Sequence, residues 1–379
     1  MTATSPGKII HSLPPLLFPL LHAFICMPLL GWIAGFFYLD NSKAFLWGAI
    51  GFAWGLVSAI AIQWWLRKFL SRHSKFIRFT SLSCIVLFEI ALSIFFIGPS
   101  IWLFINFTPR DNQHSICCET PLDYGATRYN NIRITTGDGA TIAGWYVAPT
   151  TQAGKVIILI HGYGYDRRGT DFQTRLLLAA GYGVLLYDLR NHGESSGKIN
   201  VFNRMEIYQS DLSQVVNYLK QKPEVNPGKI AVVGISLGAF TTLNSSTETL
   251  NDFAALWLDG LRFENFFAQE PVHTLKGFTD ALIDRQVRRL AGIFYQQPIT
   301  PAPPLFTQII AQIKRPPLML VASGLDEGER QLNEKFIPLM GGNKSIWFID
   351  NAWHIGGRFE VPQEYGDKML DFFARALAD

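Results

Sequence analysis

The segment Val233-Gly234-Ile235-Ser236-Leu237-Gly238-Ala239 constrains the fold most, because it joins a buried strand to a helix through a single serine. The preceding run, 230–233, is apolar and β-branched, as a sheet interior requires. Gly234 and Gly238 bracket the serine, and 239–243 can continue as helix. A G-x-S-x-G run between strand and helix reads as a nucleophile elbow. The turn strains the serine backbone and points its hydroxyl out of the sheet, above a helix N-terminus that favours developing negative charge. The plainer alternative is a glycine-rich turn with an incidental serine, and the surrounding sequence decides between the two.

Residues 132–135 and 141–147 flank Gly137-Asp138-Gly139, the signature of a hairpin. Beyond it, strands are expected at 156–160, 183–187, 230–233, 255–258, 318–321 and 345–349. They alternate with helices at 172–180, 204–220, 239–249, 329–340 and 365–378. Continuous apolar strands alternating with helices imply an α/β fold, a mostly parallel sheet covered on both faces. Ligand sites in such sheets lie outside the carboxyl ends of the strands. The stretch from about 261 to 314 is far longer than an ordinary connection and rich in phenylalanine, so it reads as a lid-like insertion.

The N-terminal part differs in character. Residues 1–110 hold eight Lys and Arg against Asp40 and Glu89, whereas the remainder has 25 basic and 28 acidic residues. The basic balance therefore belongs to the N-terminal part, and nucleic-acid binding by the larger part is not expected. Three apolar stretches, about 13–39, 45–66 and 80–107, each have the length of a membrane helix. Five basic residues between 67 and 79 place that connector in the cytoplasm. The expectation is a multi-pass membrane protein with lipid-bilayer contacts through three helices and its large domain outside the cytoplasm. Gly31/Gly35 and Gly51/Gly55 have small-xxx-small spacing, and Glu89 is the one acid within a span. A polar linker at 111–128 then leads to a domain over 129–379. Cys26, Cys84 and the adjacent Cys117 and Cys118 fit neither a metal site nor a disulfide framework, and no cofactor or metal is expected.

Three features at strand ends supply chemistry. His161-Gly162-Tyr163-Gly164 follows one strand, and its glycines let the N–H of Tyr163 join that of Leu237 as an oxyanion hole. Asp326 follows the penultimate strand and His354 follows the last. The order serine, acid, histidine assigns Ser236 as nucleophile, His354 as base and Asp326 as the group that orients the imidazole. Asp259 and Asp350 also end strands; Asp326 is preferred because Asp350 is too close to His354 along the chain. His161 and His192 are expected to brace loops.

His161-Gly-Tyr-Gly, Asp188-Leu-Arg-Asn-His-Gly-Glu-Ser195 and Gly234-Ile-Ser-Leu-Gly238 together resemble the α/β-hydrolase superfamily. The likeness is to membrane-anchored members related to esterases, acyl-thioesterases and serine aminopeptidases, and it spans about 129–378. It implies the triad Ser236, Asp326 and His354, and loop-shaping by the block Asp188–Ser195. The function so implied is cleavage of an ester, a thioester or a lipid acyl ester through an acyl-serine intermediate, with a small-molecule or lipid-like acyl partner. Two alternatives stand beside it: an aminopeptidase-like amide hydrolase, and a non-catalytic binding module that retains the fold.

Overall fold

The computed structural model describes residues 41–69, scattered positions between 77 and 103, 118–197, 199, 204–264, 275–295 and 304–378. The chain divides into two compact units, Met1–Thr108 with Pro271–Thr300, and Pro109–Glu270 with Pro301–Asp379.

The second unit is built on eight strands: β1 (Asn130–Thr135), β2 (Thr141–Val147), β3 (Gly154–Ile160), β4 (Gly183–Tyr187), β5 (Val225–Ile235), β6 (Ala255–Asp259), β7 (Leu318–Ser323) and β8 (Lys344–Ile349). Their spatial order is β1-β2-β4-β3-β5-β6-β7-β8. The hairpin β1–β2 and the β2–β4 pair are antiparallel, and every later pairing is parallel. In the expected hairpin, Thr135 pairs with Thr141 across the glycine turn.

The parallel strands read as unbroken apolar runs because both faces are covered. Successive side chains alternate across the sheet, so Val156, Ile158 and Ile160 enter one buried cluster and Ile157 and Leu159 enter the other. On the first face lie Tyr208, Leu212, Val215 and Leu219 of the helix Arg204–Lys220 and Phe306 and Ile310 of the helix Phe306–Gln312. On the second lie Leu177 of the helix Asp171–Ala179 and Tyr365, Met369 and Phe373 of the C-terminal helix Pro362–Ala376.

Two expected helices are each broken in two, for local reasons. The stretch 239–249 forms Leu237–Leu243 and Thr247–Asp252, because the Ser246 hydroxyl accepts from Thr249 N at 3.1 Å and starts a new helix. The stretch 329–340 forms the helix Glu327–Glu334 and a 3₁₀ turn, Ile337–Leu339, since Pro338 cannot extend a helix.

In the first unit, the helix Asn41–Phe69 buries Gly51, Gly55 and Ala59 on one stripe and exposes Trp54, Val57, Ile60 and Trp64. The helix Leu275–Tyr295 falls in this unit, so the middle of the long insertion groups with the N-terminal segment and not with the sheet. The expectation of a membrane-spanning chain with an extracytoplasmic domain is overturned here: among the described residues, no helix is long and apolar enough to cross a membrane. That expectation weighed length and lack of charge. The helix that overlaps the stretch 45–66 carries Lys43, Arg67 and Lys68 towards its ends, and its apolar run is interrupted by Gly48, Gly51, Gly55, Ser58, Gln63 and four tryptophans. The stretch 13–39, most of 80–107, Gly31, Gly35, Glu89, Cys26 and Cys117 lie outside the described residues. Cys118 is disulfide-bonded.

Because Ile158 is fully buried in a central strand, Ile158→Ala should lower the unfolding free energy by about 2–5 kcal/mol in urea titration. Leu122→Ala, at a site 53% exposed, should change it by less than about 0.5 kcal/mol. Equal effects would contradict this placement of the core.

Candidate active site

Ser236 stands between β5 and the helix Leu237–Leu243 at φ 52° and ψ −107°, a backbone conformation that side chains other than glycine rarely adopt. Its neighbours leave no choice of residue. A Cβ on Gly238 would lie 2.1 Å from the carbonyl oxygen of Ile160, and one on Gly234 would lie 2.7 Å from Ala239 N. Two hydrogen bonds hold the turn: Ser236 N donates to Asp259 O at 2.7 Å, and Phe240 N donates to Ser236 O at 3.0 Å.

The loop after β8 brings His354 to this hydroxyl, with Ser236 Oγ and His354 Nε2 at 2.9 Å. His354 is followed by Ile355 at φ 51°. Beneath them, Gly260 is required: a Cβ there would lie 2.4 Å from Ile355 Cγ2 and 3.3 Å from His354 Cε1.

The acid on the far side of the imidazole is Glu329, not the expected Asp326. His354 Nδ1 is hydrogen-bonded to Glu329 Oε1, and Glu329 Oε2 accepts from Ser323 N at 2.7 Å, so this fully buried carboxylate is fixed at both oxygens. Asp326 instead caps the helix Glu327–Glu334, its Oδ1 accepting from Glu329 N at 3.0 Å, while its Oδ2 lies 3.2 Å from Arg262 Nε. The reason is helix geometry. A carboxylate at the N-cap is engaged by the first helical amides, and the side chain three residues on is the one free to leave the helix end. The signal was present as Asp326-Glu-Gly-Glu329, an acidic N-cap followed by glutamate at the third helical position.

The loop Gly162–Gly164 lies against the serine, a Cβ on Gly162 falling 3.4 Å from Ser236 Cβ. Leu237 is the first residue of the helix that follows the serine. His161 and His192 brace this region as expected. Leu189 N donates to His161 Nε2 at 2.9 Å, His161 Nδ1 lies 2.8 Å from Gly162 O, and the two imidazoles meet edge to face at 5.2 Å. Burial holds the His161 pKa down to about 4, so this ring is neutral near pH 7 and orders the loop. The block Asp188–Ser195 is a structural knot. Asp188 accepts from Arg167 N and Glu194 N, both at 2.8 Å, and the Ser195 hydroxyl donates to Asp188 O at 2.7 Å.

Asp259, set aside in the sequence reading, lies beneath the site. The Tyr365 hydroxyl donates to Asp259 Oδ2 at 2.8 Å and accepts from Trp257 Nε1 at 3.2 Å. Burial, reinforced by the nearby Glu329 carboxylate, pushes its pKa up to about 7.

A strained serine at a strand end, facing a histidine backed by an acid on an eight-stranded, mostly parallel sheet, defines the α/β-hydrolase fold. Known proteins agree on the fold. Residues 151–260 match the family described as Serine aminopeptidase, S33. The chain is 27% identical over 221 residues to the uncharacterized protein YqkD of Bacillus subtilis, a match covering 57% of this chain and 70% of YqkD. It is 30% identical over 145 residues to the quorum-quenching protein AidA of Acinetobacter baumannii, covering 36% of this chain but only 46% of AidA. Among solved structures, the Pyrococcus furiosus esterase Pf2001 superposes with a TM-score of 0.53 at 23% identity, covering 72% of this chain and 99% of that one.

The buried Asp259 carboxyl gives a pH-dependent prediction. Folding raises its pKa from 3.8 to about 7, so the native state binds the proton more tightly and stability falls as pH rises through that window. Asp259→Asn should remove about 3 kcal/mol of the stability lost between about pH 5 and about pH 8, as read by denaturant titration at each pH. An unaltered pH slope would contradict this environment for Asp259.

Proposed function

We propose that the chain is a serine hydrolase that cleaves carboxylic esters of small acyl substrates through an acyl-serine intermediate. The observation that carries this reading is the continuous row from Ser236 Oγ through His354 to Glu329. In the first half-reaction, His354 Nε2 accepts the Ser236 proton as Oγ attacks the ester carbonyl carbon. The carbonyl oxygen gains the negative charge, and the N–H groups of Tyr163 and Leu237 donate to it; donors of this kind are worth about 2.7–4 kcal/mol of barrier. The carbon–oxygen bond to the alcohol then breaks, and His354 returns the proton to the departing oxygen. A water molecule, deprotonated by the same nitrogen, releases the acid and restores the serine.

Glu329 keeps the Nδ1 proton in place and stabilises the imidazolium that forms in each half-reaction. Tyr163, Leu325 and Trp353, on the loops after β3, β7 and β8, are exposed at the end of the sheet that carries Ser236, and they supply an apolar rim suited to an acyl group. Amide cleavage is the second reading, favoured by the description of the family matching 151–260. That segment holds the serine turn but neither Glu329 nor His354. Its likeness therefore bears on the scaffold more than on the bond cleaved.

A fluorophosphonate probe should label the protein at Ser236, and Ser236→Ala should abolish both labelling and hydrolysis of short p-nitrophenyl esters. Aminoacyl anilides in the same panel separate the two bond classes. Undiminished labelling of Ser236→Ala would remove the basis of the assignment.

A further inference from the structure

The site contains one carboxylate more than a serine–histidine–acid row uses. An oxygen of Asp326, an oxygen of Glu329 and a ring nitrogen of His354 all lie within 4.8 Å of one another. Of the two carboxylates, Glu329 is the one bonded to the ring. Asp326 is nearly as buried, and among the described residues its charged partner, besides its cap bond, is Arg262, which follows β6 on another part of the sheet. Arg262 is half exposed, but its stem and backbone run close to the helix start: a Cβ on Gly328 would lie 3.0 Å from both its Cγ and its carbonyl oxygen, and 3.3 Å from Asp326 Oδ1. The backbone around it is pinned as well, since Asn333 Nδ2 donates to both Leu261 O and Glu329 O at 2.8 Å.

We propose that Arg262 is a positioning residue that decides which of two carboxylates serves His354: its guanidinium holds Asp326 at the helix cap and leaves the imidazole to Glu329. This rests on the reading of Ser236, His354 and Glu329 given above, and it adds a residue to that site. The charged groups near this point are Asp259 at the end of β6, Arg262 beyond it, Asp326 and Glu329 on the β7 side, with the exposed pair Glu327 and Arg330 on the same helix, and His354 and Arg358 after β8. Of these, Arg262 is the cation in direct contact with Asp326. Its removal leaves a second uncompensated carboxylate within reach of the ring, which favours imidazolium.

The test reads the ring and not turnover, so it stands apart from whether the protein is a hydrolase. The His354 imidazole is titrated by NMR in the full-length Ser236→Ala protein, and again with Arg262→Gln added. The second variant should show a midpoint higher by about one pH unit. Adding Asp326→Asn to that pair should return the midpoint to its starting value or below. A conservative Arg262→Lys should hold it near the start, because a cation is retained. An unchanged midpoint in Arg262→Gln, or a rise that survives Asp326→Asn, overturns the proposal. Thermal unfolding of each variant confirms that a folded protein is being titrated. Separately, if probe labelling shows Ser236 to be inert while the midpoint moves as described, the hydrolase reading fails and the role of Arg262 stands.

Discussion

Everything at the site depends on one backbone conformation, Ser236 at φ 52°. Positive φ in a residue with a side chain costs on the order of 1–3 kcal/mol and persists only where surrounding contacts over-determine it. Here the determinants are steric and bonded at once. Gly238 passes so close to Ile160 O that no side chain fits, and the Asp259 carbonyl fixes the serine N–H. Those contacts come from β3 and β6, the strands on either side of β5. The serine is therefore held by the sheet itself, and the packing of both faces underwrites its geometry.

The same sheet accounts for how distant residues meet. Ser236, Glu329 and His354 follow β5, β7 and β8, which lie at the same end of a parallel array, so each strand delivers its loop to a common edge. Asp259, the last residue of β6, completes the series from below. Its carboxyl is linked through the Tyr365 hydroxyl to Trp257 and the C-terminal helix. Two buried carboxylates near one imidazole repel each other, and this is one reason Asp259 holds its proton more firmly than an exposed aspartate.

Strand positions were legible because the parallel core is apolar on both faces: the run 183–187 coincides with β4, and 204–220 with the helix before β5. The serine turn was legible because Gly234 and Gly238 are steric requirements that leave a trace in sequence. The acid was harder. Chain order places it after β7, but order cannot separate Asp326 from Glu329, which differ by one helical turn, and the deciding fact is which of them the helix amides engage. The N-terminal part is where the expectation is overturned: among the described residues no helix is long and apolar enough to cross a membrane. The insertion after β6 signalled its unusual length, yet nothing in its composition indicated that 271–300 would group with the N-terminal unit.

The central claim is that His354 shares its Nδ1 proton with Glu329. The far-downfield proton resonance of that ring nitrogen observes the contact directly, in the full-length protein at a pH where the imidazole is charged. The account predicts that the resonance survives Asp326→Asn and disappears in Glu329→Gln. Survival in Glu329→Gln together with loss in Asp326→Asn would contradict it.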